Sequence, residues 1–161
     1  MPFKTGAGNK PELYDKQTGR YTETSKAFKE ARRVKDSLEG KELQGYTSEA
    51  MPGYEKAYTD PNKFYRYSLD PNHTRGGDKA VVYQAALGYN QSNAESLIRQ
   101  IDVSIKTGEA KMHSIDLNDH GITFGFTTNV TGPNGNTKSV VSKYIIEFKS
   151  NHPRMTTNYV K

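Results

Sequence analysis

Ile122-Thr123-Phe124-Gly125-Phe126, then Thr131-Gly132-Pro133-Asn134-Gly135-Asn136, then Val140-Val141-Ser142-Lys143-Tyr144-Ile145-Ile146-Glu147-Phe148 read as strand, turn and strand. In the first segment Ile122, Phe124 and Phe126 recur at every second residue, which puts them on one face of an extended chain. The middle segment is built of residues that tolerate turn geometry. In the last, Val140, Ser142, Tyr144, Ile146 and Phe148 alternate with Val141, Lys143, Ile145 and Glu147. Working outward, His113, Ile115 and Leu117 share a face of an earlier strand, which Asn118-Asp119-His120-Gly121 turns into Ile122. His152-Pro153 breaks the chain before a last strand, Arg154 to Val160. Strands that follow one another through short turns predict a four-stranded antiparallel meander.

Upstream of Gly108 the period is helical instead. Ala27, Phe28, Ala31, Val34 and Leu38 form an apolar stripe over Glu23 to Leu38, with an acid in the first turn and Gly40 as the stop. The opposite face holds Lys26, Lys29, Arg32, Arg33 and Lys35, balanced by Glu30, Asp36 and Glu39; it reads as a solvated face, or else as one turned to RNA or a partner. Asp78 to Leu87 predicts a second helix closed by Gly88. Ser92 and Glu95 make a capping box for a third, in which Ala94, Leu97, Ile98, Ile101 and Ile105 keep helical spacing. Lys63 to Leu69 fits neither period, residues 41–62 read as a linker with short helical turns, and residues 1–22 as an extended lead-in. Helices first and strands last predict an α+β fold, with N-terminal helices packed on one face of the sheet. The expected division is a lead-in and helical segment over 1–60 and an α+β domain over 61–161.

The 161 residues carry a net charge of +5, and hydrophobic residues make up 33%. With a mean hydropathy of -0.88, the chain cannot bury a large core along its whole length. The charge excess is uneven: residues 111–161 hold 6 Lys and Arg against 3 Asp and Glu. A basic chain favours a polyanionic partner, nucleic acid ahead of an acidic protein. The absence of cysteine excludes disulfides, thiolate metal sites and a cysteine nucleophile. No apolar run approaches the ~20 residues that span a bilayer, and the first residues do not form a signal peptide, so stable membrane association is not expected.

Two stretches carry chemistry. Asp70-Pro71-Asn72-His73-Thr74-Arg75-Gly76-Gly77-Asp78-Lys79-Ala80 places a histidine, an arginine and a lysine around a glycine turn that opens a helix. Pro153-Arg154-Met155-Thr156-Thr157-Asn158-Tyr159 adds a cation, hydroxyls and a phenol on a strand. A helix N-terminus with cationic and hydroxyl groups is a means of holding and cleaving a phosphodiester. Lys79 sits near a helix start, where a cation is poorly placed for helix stability, and this points to a phosphate contact. Arg75 with the Gly76-Gly77 backbone would form an anion-binding turn. Strand alternation puts Arg154, Thr156 and Asn158 on one side and Met155, Thr157 and Tyr159 on the other. Ser142 is a small hydroxyl on an otherwise apolar strand face. His113, His120 and His152 lack metal-ligand spacing, so neither a metal nor a cofactor is expected, and no phosphate-binding loop, dinucleotide fingerprint or hydrolase elbow is present.

Asn72-His73, Gly76-Gly77-Asp78-Lys79-Ala80, Leu87-Gly88-Tyr89, Thr131-Gly132-Pro133-Asn134-Gly135 and Pro153-Arg154 with Thr157 and Tyr159 together resemble a family of C-terminal modules in bacterial polymorphic toxins. Gly8-Asn9-Lys10-Pro11-Glu12-Leu13-Tyr14-Asp15 with Thr18-Gly19-Arg20-Tyr21 resembles the segment that often precedes such modules, and Thr74 stands where many relatives have proline. The family is similar to the barnase/EndoU/colicin/RelE group of small RNases, several of which are tRNA-cleaving toxins of contact-dependent growth inhibition systems. The resemblance implies a toxic ribonuclease neutralised by a cognate immunity protein, exported as the end of a longer protein and acting in the cytoplasm of the target bacterium. Some members of that group act with elongation factor Tu, which makes it a candidate partner.

The expected function is metal-independent cleavage of RNA, with tRNA as the leading substrate. His73 is the first choice for base or acid, Lys79 for phosphate, Thr157 as a donor and Tyr159 for orienting the base or stacking, with Ser142 as a further site residue. Arg75, Lys143 and Arg154 are the expected RNA contacts. The immunity protein should present an acidic surface to this basic site. The competing expectation is a basic RNA- or protein-binding module, phage-related in origin, that performs no chemistry on the same fold; DNA cleavage or attack on a nucleotide is a third.

Overall fold

The structure, a computed structural model, describes residues 3–5, 11–15 and 20–161, with side chains from residue 23 onward. Gly8-Asn9-Lys10 and Thr18-Gly19 of the lead-in lie outside the described residues. Where the sequence predicts only extended chain, β1 (Phe3–Thr5), β2 (Pro11–Asp15) and β3 (Arg20–Glu23) pair as a small antiparallel sheet.

The expected α+β architecture is present. β4 (Lys111–Leu117), β5 (Gly121–Thr131), β6 (Thr137–Glu147) and β7 (Arg154–Val160) form an antiparallel sheet in the order β4-β5-β6-β7. The helices are α1 (Lys26–Ser37), α2 (Gly77–Leu87) and α3 (Glu95–Lys106). Ile122, Phe124, Phe126 and Val130 of β5 bury the face that packs with Leu97, Ile101 and Ile105 of α3 and Tyr83 and Leu87 of α2. Phe28, Ala31 and Leu38 from the first helical stripe, with Met51 and Ala57 from the linker, join the same core. Among the described residues no helix is long and apolar enough to cross a membrane.

Helix ends follow local chemistry. The Ser25 side chain accepts from the Phe28 N–H at 3.0 Å and starts α1, so Glu23 lies before the helix and its first turn holds no acid. Gly88 closes α2 at φ 82°, a left-handed conformation that costs glycine little. The capping box predicted for α3 does not form. Ser92 Oγ instead donates to Asn90 Oδ1 at 2.5 Å, and Ala94 occupies the cap position without a side-chain bond. Local bonds to the Asn90 side chain, from both the Ser92 hydroxyl and the Ser92 N–H, outcompete the cap.

Two strands depart from strict alternation. The β4–β5 register shifts between Met112 and Ser114, so Met112, Ile115 and Leu117 pair with Phe126, Phe124 and Ile122, and His113 falls at the irregularity rather than on their face. The β6–β7 register shifts between Lys143 and Tyr144: Lys143 faces Thr157 while Tyr144 faces Met155. The extra residue places Met155 and Asn158 together on the buried side and leaves Thr157 and Tyr159 half-buried on the other. Alternation alone assigns Met155 to the wrong partners; a bulge changes the face of everything beyond it.

Two tyrosines are locked inside. Tyr83 donates to Asn158 Oδ1 at 2.8 Å, and Tyr144 shares a 2.6 Å hydrogen bond with Thr59. Burial pushes both phenols far above the usual tyrosine range. A raised pKa favours the protonated phenol in the fold, so this stability is intact below the ordinary tyrosine value of about 10 and is lost as pH rises beyond it. Each tyrosine should contribute a loss of about 1.4 kcal/mol per pH unit above that point. Urea midpoints measured across rising pH should stay level and then fall; a level response well past the ordinary tyrosine pKa contradicts the burial.

Candidate functional site

β7 is an edge strand, and two segments far apart in sequence meet along it. One is a π turn over Phe64–Ser68, closed by the Leu69 N–H donating to the Phe64 carbonyl at 2.8 Å. The other is the start of α2. On the buried side Asn158 ties them together: its Oδ1 accepts from Ser68 Oγ at 2.7 Å and from the Tyr83 hydroxyl at 2.8 Å, and its Nδ2 donates to the Lys63 carbonyl at 3.2 Å. On the other side its neighbours Thr157 and Tyr159 meet side chains from the same two segments.

The centre of that outer cluster is Lys79. Its Nζ donates to Thr157 Oγ1 at 2.8 Å and to the Tyr67 hydroxyl at 3.0 Å. It also lies 4.4 Å from the Tyr67 ring centre and 5.6 Å from that of Tyr159, within cation–π reach. All of these partners are neutral, and among the described residues Lys79 has no carboxylate partner. The hydrogen bond from Lys79 holds the Tyr67 phenol below the usual tyrosine range despite partial burial; the Lys79 charge, Thr157 and Arg75 act in the same direction. The His73 ring packs edge-on against Tyr67, with centres 4.8 Å apart.

His73 has a structural task. Its Nδ1 accepts the Arg75 N–H at 3.0 Å and the Gly76 N–H at 2.9 Å, and its carbonyl accepts the Gly77 N–H at 2.9 Å. With Nδ1 accepting both N–H groups, that nitrogen is engaged at the helix start, and only the Nε2 side of the ring is left for the base or acid role expected from sequence. The same bonds consume the N–H groups expected to form an anion-binding turn. The Gly76-Gly77 pair instead answers a steric demand, because a Cβ at Gly76 would lie 2.2 Å from the Tyr67 carbonyl oxygen. His73→Ala removes an acceptor for two N–H groups at a helix start and should lower stability by about 1 kcal/mol. Urea denaturation of the purified variant checks this.

The remaining sequence-derived candidates divide. Thr157, Tyr159 and Lys79 come together, and His73 joins them through Tyr67. Lys143 faces Thr157 in the β6–β7 register and is half-buried. Arg75 is exposed and reaches Tyr67 through its charge alone. Arg154 lies further along β7, where its Nε donates to Glu147 at 2.8 Å; that bond holds the Glu147 carboxyl below its usual range. Ser142 is not part of the cluster. It is fully buried on the helix-facing side, between Phe126 and Asn158 in the register, and is shut off from any substrate at the outer face. Tyr67 escaped the sequence reading because the π turn that aims it follows neither the helical nor the strand period.

Among the described residues no group of three or more His, Asp or Glu side chains converges. A cavity of about 560 Å³, lined by Arg99, Val103, Lys111, Thr128 and Ser139 among others, shares no residue with the Lys79 cluster. Residues 50–161 match a family described as a domain of unknown function (DUF6883). The chain belongs to that family. No curated protein matches it, and no solved structure does. The DUF6883 span takes in the π turn, α2, α3 and the whole β4–β7 sheet, so every member of the Lys79 cluster lies within it, whereas α1 precedes it.

Proposed function

We propose that this DUF6883 chain is a toxin-type ribonuclease that cleaves RNA, tRNA first, without a metal, and that a cognate immunity protein with an acidic surface silences it in the producing cell. The observation that carries the reading is the half-buried Lys79 ammonium, held by a hydroxyl, a phenol oxygen and two aromatic rings with no carboxylate among the described residues to neutralise it. A cation in that setting fits a phosphate, and it can stabilise the extra negative charge that develops as a phosphodiester is attacked. Thr157 is placed to donate to a phosphate oxygen, and Tyr159 offers a ring on which an unpaired base can stack. Lys143, across from Thr157, extends the cationic surface along the sheet. His73 acts through position: it holds the turn that leads into α2 and supports Tyr67.

The competing reading, a basic module that binds RNA without cutting it, draws on the commitment of His73 Nδ1 to the helix start. Purified protein incubated with total bacterial RNA in EDTA, beside Lys79→Ala, separates the two. Discrete tRNA fragments from the wild type alone support the ribonuclease. Intact RNA in both lanes, unchanged when cell extract is added to supply a protein cofactor such as elongation factor Tu, leaves the binding module.

A further inference from the structure

Breaking an RNA strand by attack of the 2′-hydroxyl leaves a 5′-oxygen that needs a proton, and the donor must lie beside the group that holds the phosphate. His73 spends Nδ1 on the helix start and makes no hydrogen bond to Lys79, Thr157 accepts from Lys79, and Tyr159 meets Lys79 through its ring. Tyr67 is different. Its oxygen receives a hydrogen bond from Lys79, and the Thr157 side chain is hydrogen-bonded to it in the sense that favours the ionised phenol. Four devices hold it: the π turn, the Gly76 backbone against its carbonyl, the edge of the His73 ring, and Lys79 itself. We infer that Tyr67 is the general acid of this site, the residue that protonates the departing 5′-oxygen. The inference rests on the ribonuclease reading above.

In that step the O2′–P bond forms and the P–O5′ bond breaks. The 2′-hydroxyl proton passes to water, the Tyr67 proton passes to O5′, and the products end in a 2′,3′-cyclic phosphate and a 5′-hydroxyl. The tyrosinate left behind lies at hydrogen-bond distance from the Lys79 ammonium, which is the charge arrangement that favours giving up the proton. Solvent then reprotonates it. The downward shift of the Tyr67 phenol is in the direction that makes it a better acid near neutral pH.

The test compares two leaving groups. The bond cut by the wild type is mapped, and the same RNA is assembled with oxygen or with sulfur at that 5′ position; a departing thiolate needs no proton. Tyr67→Phe keeps the ring beneath Lys79 and against His73. It should cleave the oxygen-linked RNA at least ~100-fold more slowly than the wild type, and the sulfur-linked RNA within ~10-fold of it. Lys79→Ala should be slow on both. Equal loss on both linkages, or no loss on either, overturns the role of Tyr67 and leaves the ribonuclease reading standing, whereas a wild type that cuts no RNA overturns both.

Discussion

Lys79→Ala is expected to slow RNA cleavage by ~100-fold to ~1000-fold, the scale seen when one charge-stabilising donor is removed from a reacting centre. The loss should appear in the rate at saturating RNA more than in affinity, because Lys79 meets the phosphate where charge develops rather than where sequence is read. Stability should change little. Among the described residues Lys79 forms no ion pair, its hydrogen-bond partners are two half-buried hydroxyls that water can reach, and a cation near a helix start does that helix no service. Matched thermal melts for the two proteins make the comparison clean. A variant that cleaves at the wild-type rate would remove the ammonium from the chemistry.

Asn158→Leu should have the largest effect on the fold, a loss of about 3 kcal/mol in urea denaturation. Leucine is close in size, so the cost is polar. The buried Tyr83 hydroxyl and Ser68 Oγ lose their shared acceptor, and the Lys63 carbonyl loses a donor. Each buried group left unsatisfied costs about 1 to 3 kcal/mol. Ser68 recovers part of this through its second contact, the Lys63 carbonyl at 3.0 Å, whereas Tyr83 has no such alternative. Adding Tyr83→Phe should therefore return some stability by removing the stranded hydroxyl. If the double variant loses the sum of the two single losses, the network is not acting as a unit. Cleavage should fall as well, since Asn158 joins the two segments that present Tyr67 and Lys79 on the opposite side of β7.

The four-stranded meander was legible because Ile122, Phe124 and Phe126, then Tyr144 and Ile146, repeat at the strand period, and turns of unambiguous chemistry separate them. The α1 stripe and the Gly88 stop were legible for the same reason: period and backbone preference are local properties. His73, Lys79, Thr157 and Tyr159 could be singled out by residue type, and they do meet. Ser142 misled because a buried small hydroxyl and a reactive one look alike in a string of letters. The capping box at Ser92 failed because Asn90 offered a nearer acceptor.

By itself the sequence determined where α1 to α3 and β4 to β7 lie, that their sheet is antiparallel, and which residues bear charge or a titratable group. Only the tertiary structure decided that a bulge turns Asn158 inward and leaves Thr157 and Tyr159 outward. It also decided that a π turn brings Tyr67 to Lys79, and that His73 holds a helix start with its ring nitrogen. The placing of Asn158, Tyr67 and Lys79 depends on contacts between residues 12 to 90 positions apart, whose strength is set by burial and by which polar groups remain unsatisfied. A periodic pattern carries no record of either.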